Sequence, residues 1–329
     1  MSSNFTLPTS LRIGVLRGGP SSEYDVSLQT GASILNVLQD THAPVDIFVS
    51  KDGKWHLNGI ERNPGRVLSS VDVVFNAMHG KYGEDGQVQE LLETHGVPYT
   101  GSTRFPSMTA MNKWHTKEIL KKHNIKTPIG ILVKQSDHLL QKAKQIWGEI
   151  PHPMIVKPTC GGSSLGIVVA HSFQELLSAL ETTLAEHGSV LVEEYIKGKE
   201  ATCAVIDNFR NKDFYTLPPI EIVSANSVFD YDAKYSGKSR EICPGNFTKE
   251  EKMEIERLAE LTHKALGLRH YSRSDFIVHP KRGIYFLEVN SLPGLSRDSL
   301  LSKSLTAVGS NIKEFLHHVL NLTLHRRAV

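Results

Sequence analysis

The sequence predicts an α/β protein that opens with a doubly wound parallel sheet and continues into two further strand-and-helix units. Three observations carry this. Short apolar, β-branched runs alternate with helical patterns over the first hundred residues, as strands do when helices cover both faces of their sheet. The first run, Arg12–Leu16, ends in the glycine-rich turn Arg17-Gly-Gly-Pro-Ser-Ser22, which reads as strand, turn, then helix. The 329 residues correspond to two or three domains of about 150 residues, sharing a cleft.

Taken in order, Ser22, three residues before Asp25, is expected to cap a helix carrying Val26, Leu28, Ala32, Ile34 and Leu35. Strands are expected at Val45–Val49 and Val71–Phe75, and the first domain at residues 1–103. Helical patterns at Met111–His123 and Leu139–Trp147 flank Thr127–Val133, extended after its Pro128 turn. Met154–Lys157 is a strand cut off by Pro158, and Ile167–Ala170 is a second strand beyond the Gly161–Gly166 loop, so the pair reads as a hairpin. A helix at Glu175–Ala185 and a strand at Val190–Glu194 complete a central domain, 104–196, with Tyr195–Gly198 as the way out of it. The last domain, 197–329, shows strands at Ala201–Ile206 and Gly283–Val289 and a helix at Lys249–Leu266. Its closing helix, Ile312–Leu322, puts Phe315, Leu316, Val319 and Leu320 on one face.

Composition bounds the function. A hydrophobic fraction of 40% with 25 glycines and 15 prolines is ordinary globular usage and excludes collagen-like and broadly disordered chains. The net charge of +2 sets up no strong field towards nucleic acid or an anionic membrane, so a small-molecule partner is expected. Cys160, Cys203 and Cys243 are odd in number, far apart and without a CxxC pair, which fits a reducing compartment. The N-terminal stretch has no basic region leading into a long apolar run, and a soluble cytoplasmic protein is expected.

Four stretches hold chemistry. In Ile284–Asn290, two-residue alternation puts Glu288 and Asn290 on one face of a strand. Asp275, at the head of the apolar run Phe276–Val278, adds a third oxygen donor if the two strands are neighbours. Such oxygens suit Mg²⁺, which takes one or two carboxylates and leaves other positions to phosphates and water; two solvated strand residues are the alternative reading. In Lys157–Gly166, glycines let backbone N–H groups approach phosphate oxygens, Ser163 and Ser164 add hydroxyls and Lys157 adds charge. The GxxxxGK[ST] spacing is absent, and an ordinary flexible hairpin has the same composition. Asp230–Tyr235 is either an exposed loop or a lid over phosphoryl chemistry, with Lys234 meeting a phosphate and Tyr235 a substrate. Asn76–Gly86 follows a strand end, where α/β sheets bind ligands; its His79 is a structural hydrogen-bond partner or a base. Glu23 lies at the equivalent end of the first strand, where it also complements a helix dipole.

The order of these stretches resembles the ATP-grasp superfamily and, within it, the D-alanine–D-alanine ligases. The matching segments are GGPSSEYDVS at 18–27, HGKYGEDG at 79–86, PYTGS at 98–102, IVKPTCGGSSLG at 155–166, DYDAKY at 230–235, SRSDF at 272–276 and LEVNSLPGLS at 287–296. They span nearly the full length, and the last four together are specific to this ligase group rather than to ATP-binding proteins at large.

The resemblance implies an ATP-grasp architecture in which two α+β domains sandwich ATP beside the N-terminal sheet. The implied reaction joins two D-alanines through a D-alanyl phosphate, releasing ADP and phosphate, for the peptidoglycan stem. Lys113 and Lys157 would hold ATP phosphates, Lys234 the transferred phosphoryl group, Glu193, Glu194 and Ile196 the adenine, and Glu200 the ribose. Asp275, Glu288 and Asn290 would bind two Mg²⁺ ions, for which Mn²⁺ can substitute. Glu23 would receive the first D-alanine's ammonium, and Ser163 with Tyr235 would link the closing loops. Arg273 and the Gly294 N–H would stabilise the oxyanion, while His79, Ser299 and Leu300 would line the substrate site. A homodimer is implied too.

The chain departs from the family pattern at Cys160-Gly161, where some members carry charge; at Asp298, where a neutral or basic residue is common; and at Ser302, where proline is expected. A carboxylate beside the acceptor site is repulsive unless Arg297 neutralises it. The competing readings are an ATP-grasp ligase for a different amino or hydroxy acid, such as D-lactate, and a nucleotide-binding regulator without turnover.

Overall fold

The computed structural model describes residues 11–162, 166–224 and 239–325, and three sheets follow one another along the chain. The first holds β1 (Arg12–Gly18), β2 (Ala43–Val49), β3 (Trp55–Leu57), β4 (Ile60–Glu61) and β5 (Val73–Asn76), in the order β4-β3-β2-β1-β5. Its inner strands β2, β1 and β5 are parallel, as expected of a doubly wound sheet, but β3 and β4 run antiparallel at the edge. Helices α1 (Tyr24–Leu38), α2 (Pro64–Leu68) and α3 (Gln87–Thr94) pack around it.

Ser22 does not cap α1. The N-cap is Glu23, without a side-chain cap bond, and Ser21 Oγ instead accepts the Glu23 N–H at 3.0 Å. The buried face of α1 is also not the expected apolar one: Ser27, Thr30, Gly31, Ile34 and Leu38 are buried. Small residues are needed there because α1 lies close over the strand ends. Ser27 Oγ accepts the Gly18 N–H at 2.8 Å and donates to the Ala77 carbonyl at 2.9 Å, so one hydroxyl ties β1 to the segment after β5.

The helix expected at Met111–His123 is α5 (Lys113–Lys121), and a helix not expected from the sequence, α4 (Arg104–Met111), precedes it. Asn112 separates the two, because its extended backbone lets Oδ1 accept the His115 N–H and start a new helix. The second sheet, β6 (Gly130–Lys134), β7 (Met154–Pro158), β8 (Val168–Ala170) and β9 (Ser189–Glu194), is antiparallel in the order β6-β9-β7-β8. Helices α6 (Leu139–Glu149) and α7 (Phe173–His187) cover one face, burying Val156, Val192, Leu176 and Leu180.

The third sheet contains β10 (Lys199–Phe209), β11 (Lys212–Thr216), β12 (Ile220–Ser224), β13 (Ser239–Ile242), β14 (Tyr271–His279) and β15 (Gly283–Asn290). Its order is β13-β12-β10-β14-β15, with β11 paired to β10. One face is covered by α8 (Lys249–Ala265), which starts in a capping box between Thr248 and Glu251. Helices α9 (Leu300–Ala307) and α10 (Ile312–His325) close the chain.

The register of β14 and β15 shifts between Asp275 and Phe276: Asp275 pairs with Glu288 but Phe276 pairs with Phe286. Leu287 is therefore an extra residue, a β-bulge. Phe286 and Val289 join the core under α8, whereas both Leu287 and Glu288 line the cavity on the other face.

Helix α10 does not stay with its own sheet. Phe315, Leu316, Val319 and Leu320 share one core with Ile13, Val73 and Phe75 of the first sheet and with Tyr271 of β14. Phe315 meets Tyr271 edge-on, with ring centroids 5.1 Å apart. The two ends of the chain are thus joined around one aromatic pair. Phe315→Ala is expected to cost about 3–5 kcal/mol, measured by urea unfolding; a loss below about 1 kcal/mol would show that α10 is not part of this core.

Candidate active site

A cavity of about 420 Å³ lies between the second and third sheets and reaches the ends of β1 and β5. One part is apolar, lined by Ile155, Ile167, Ile196, Ile222 and Leu287. The other is ionic, because β14 and β15 present Arg273, Asp275, Glu288 and Asn290 on the same face, Arg273 opposite Asn290 and Asp275 opposite Glu288. Arg273 holds Asp275 with two hydrogen bonds of 3.1 and 3.2 Å, the Asn290 amide donates to it at 3.3 Å, and Thr202, its cross-strand neighbour on β10, donates at 2.5 Å.

Cations enter from the other side. Lys113, at the start of α5, donates to the Gly161 carbonyl at 2.6 Å and lies 3.3 Å from Glu288. Lys157 on β7 lies 2.7 Å from Glu193, whose other oxygen is held by Lys117. Burial opposes the charge on Lys157, but Glu193, aided by Glu288, more than reverses this and raises its pKa. Burial likewise opposes the Glu193 carboxylate, yet the two lysines bring its pKa below the usual range. The Glu194 carboxylate is engaged by the Ile129 N–H at 3.2 Å and by Arg282 at 2.9 Å. Glu200 and Ile196 line the cavity at the exit from the second sheet.

At the N-terminal wall, Glu23 is enclosed by glycines from two loops. A Cβ built on Gly80 or on Gly162 would stand 2.6 Å from Glu23 Oε2, so both backbones approach this carboxylate closely. His79 is buried, with Nε2 2.9 Å from Thr30 Oγ1, and its pKa is lowered by burial against the pull of Glu23. Glu84 is buried beside them. It accepts the Gly80 N–H at 2.8 Å and the Leu292 N–H at 3.0 Å, which links the N-terminal loop to the loop after β15. Burial, then the nearby Glu23 carboxylate, pushes its pKa up to about 8.

The far end of the cavity is formed by Gly294, Asp298, Ser299 and Leu300. Ser299 is the N-cap of α9, with Oγ accepting the Ser302 N–H at 3.3 Å, while Ser302 Oγ donates to the Ser296 carbonyl at 2.8 Å. A proline at 302 could make neither bond, so the departure at that position is built into the cap. Asp298 and Arg297 are both exposed. Among the described residues no ion pair joins them, so the neutralisation of Asp298 by Arg297 is not found; Lys303 on α9 pairs instead with Glu241 of β13 at 2.5 Å.

Ser163, Lys234 and Tyr235 lie outside the described residues. Sequence reasoning missed Lys117, Glu84 as a link between loops, and Thr202. Lys117 had a signal, since it follows Lys113 by four residues and so shares its helix face. Thr202 had none, because cross-strand pairing with Asp275 is not written in local pattern. Among the described residues no three His, Cys, Asp or Glu side chains are grouped as a metal cage. Two carboxylates and one amide on adjacent strands nonetheless fit a hard cation that takes its other oxygens from phosphate and water.

Family models of the N-terminal and C-terminal parts of D-ala D-ala ligase match residues 12–65 and 58–102, and residues 119–321. The chain belongs to the D-alanine–D-alanine ligase family. It is an enzyme of the ligase class. It is 36% identical over 321 residues to a D-alanine–D-alanine ligase from Pelotomaculum thermopropionicum, across 96% of this chain and 97% of that one. It is similar to the crystal structure of VanG D-Ala:D-Ser ligase from Enterococcus faecalis, with a TM-score of 0.85 and 28% identity over 95% of this chain and 99% of that one. For the D-alanine–D-alanine ligase from Bacillus anthracis complexed with ATP, the TM-score is 0.78 at 31% identity over 96% and 98%. The ATP-grasp architecture follows from these matches.

Two outcomes are expected for this ligase. Gly162→Ala leaves the fold intact, since the added methyl meets only a flexible side-chain end, but displaces Glu23 and lowers turnover about a hundred-fold; wild-type rates at unchanged melting temperature would contradict the placement of Glu23. Glu84 binds its proton more tightly in the fold than in the unfolded chain. Its contribution to stability is therefore complete below pH 4.5 and lost as pH rises to about 8. Glu84→Gln, which cannot ionise, is expected to gain melting temperature relative to wild type across that window, and a constant difference between pH 5 and 8.5 would refute it.

Proposed function

We propose that the chain joins two D-alanines with cleavage of ATP to ADP and phosphate, for peptidoglycan precursor synthesis. What carries the reading is the ionic face of Arg273, Asp275, Glu288 and Asn290 opposite Lys113 and Lys157, with Glu23 at the adjoining wall. The adenine lies in the apolar part near Glu193, Glu194 and Ile196, with the ribose at Glu200. Lys113 and Lys157 leave their present partners to hold phosphates.

The chemistry follows from charge. A carboxylate is a poor acyl donor, so an oxygen of the first D-alanine attacks the γ-phosphorus, ADP leaves and D-alanyl phosphate forms. Glu23 binds the donor's ammonium, which aims its carboxylate at the phosphates, and His79 lines this end. The neutral amine of the second D-alanine then attacks the acyl carbon. Arg273 and the Gly294 N–H receive the oxyanion, an interaction worth roughly 3 kcal/mol for each donor, and phosphate departs with the electron pair of its C–O bond. The acceptor's carboxylate is met by Ser299, Leu300 and the positive end of α9. Two Mg²⁺ ions, or Mn²⁺, held by Asp275, Glu288 and Asn290 supply neutralisation of the phosphate charge when bound. Ser163 and Tyr235 link the loops that exclude water, and Lys234 meets the transferred phosphoryl group.

In this reading residues 1–103 hold the donor, while 104–196 and 197–329 clasp the nucleotide. No described helix is long and apolar enough to cross a membrane; we assign the enzyme to the cytoplasm, as a homodimer.

The test is phosphate release by the purified chain with MgATP and a panel of D- and L-amino acids and D-lactate. D-alanine alone is expected to support turnover with accumulation of the dipeptide; no phosphate release with D-alanine would end the proposal. Glu288→Gln is expected to lower kcat by at least about a hundred-fold without changing the melting temperature by more than a few degrees, and wild-type turnover at ordinary Mg²⁺ would remove Glu288 from the metal set.

A further inference from the structure

From the cavity wall inwards, the structure holds three charges in a row. Lys117, Glu193 and Lys157 come from α5, β9 and β7, and their side chains are 3%, 3% and 7% exposed. One Glu193 oxygen is bonded to Lys117 and the other to Lys157 at 2.7 Å. The three are not equivalent, because Glu193 and Lys157 line the cavity whereas Lys117 lies behind it.

We infer that Lys117 is a positioning residue that frees Lys157 for the nucleotide by neutralising Glu193 from behind. The inference rests on the ligase reading for the identity of the nucleotide. With Lys117 present, the row carries one surplus positive charge on its cavity side. An incoming polyphosphate then draws Lys157 away while Glu193 keeps a full ionic partner. Without Lys117, Glu193 and Lys157 form a closed, neutral, buried pair, and phosphate has to compete with a desolvated carboxylate that has nowhere else to turn. Lys113 cannot substitute for Lys117, because it lies one turn away on α5 and is engaged by Gly161 and Glu288. Burial, and then the neighbouring Lys157, lower the Lys117 pKa to about 7 against the pull of Glu193, so drawing Lys157 towards the nucleotide removes one opposing effect and favours the charged ammonium beside Glu193.

The experiment measures phosphate release by the full chain, with KM for MgATP and for D-alanine, together with a melting curve. The proteins are wild type, Lys117→Met, Lys117→Arg, Glu193→Gln and Lys117→Met/Glu193→Gln. Lys117→Met keeps the buried stem and removes the charge. It is expected to raise KM for MgATP about ten-fold or more while KM for D-alanine stays within about two-fold, and Lys117→Arg to restore KM for MgATP to within about three-fold. In the Glu193→Gln background, Lys117→Met is expected to change KM for MgATP by less than about two-fold, because no carboxylate is left to compete. A purely structural role would lower the melting temperature and the yield of active enzyme without this split.

An unchanged KM for MgATP in Lys117→Met, or the same rise in both backgrounds, overturns the inference. If Lys117→Met does not fold, the double variant decides against Glu193→Gln alone, equality supporting the role and a further rise refuting it. If the wild type releases no phosphate with D-alanine, the ligase reading falls, and equilibrium binding of MgATP to the same proteins decides Lys117 by the same pattern.

Discussion

The whole site depends on one extra residue in β15. In a regular ladder side chains alternate between faces, so Phe286 and Glu288 would share a face, and the carboxylate could reach the cavity only by bringing an aromatic ring in with it. The bulge at Leu287 breaks that constraint. Phe286 stays in the core edge-on to Phe276, with ring centroids 5.9 Å apart, while Leu287 and Glu288 both face the cavity. One backbone irregularity thereby sets an apolar side chain next to a carboxylate in the cavity wall, and returns the strand to register for Asn290 opposite Arg273. Bulges are used in this way to re-aim side chains near active sites.

Around that strand, the carboxylates are held by partners from other elements. Glu288 has Lys113 of α5, Glu193 of β9 has Lys117 and Lys157, and Asp275 has Thr202 of β10 together with Arg273 of its own strand. Desolvation makes such an arrangement costly unless the pairs are satisfied. In this arrangement each buried lysine is neutralised by a carboxylate of the protein itself.

Much of this was legible in the sequence, and what was not has physical reasons. The hairpin β7–β8, the helices Leu139–Glu149 and Ile312–His325 and the shared face of Glu288 and Asn290 come straight from period and punctuation. The cap of α1 was misread because the helix starts after Glu23, whose own N–H is taken by Ser21 Oγ, and no side chain caps it. The start of α5 was placed two residues early because the apolar pattern already includes Met111, although Asn112 is itself a capping residue. Strand β11 went unnoticed although it forms a hairpin with β10 across Phe209 and Lys212, because it is short and opens with the charged pair Lys212-Asp213; β12 pairs past β11 with β10, and β13 with β12. Glu84 was visible as part of a motif, but its role as a link to Leu292 needs two loops more than 200 residues apart to meet.

That link also keeps two walls of the cavity in register. Glu84 accepts N–H groups from Gly80, which lies against Glu23, and from Leu292, two residues before Gly294. Both amides are buried and need an acceptor, so neither loop can shift without leaving a group unpaired. The end of the cavity at α9 is constrained differently. Ser299 and Ser302 satisfy the start of α9 from within, and Lys303 ties that helix to Glu241 of β13. Asp298 stands at the rim with neither restraint, exposed on one side and facing the cavity on the other. Its negative charge opposes the positive end of the α9 dipole, so it weakens the helix's pull on any anion at this rim. The internally paired elements fix the geometry of the cavity, and this carboxylate sets the electrostatics at its open end.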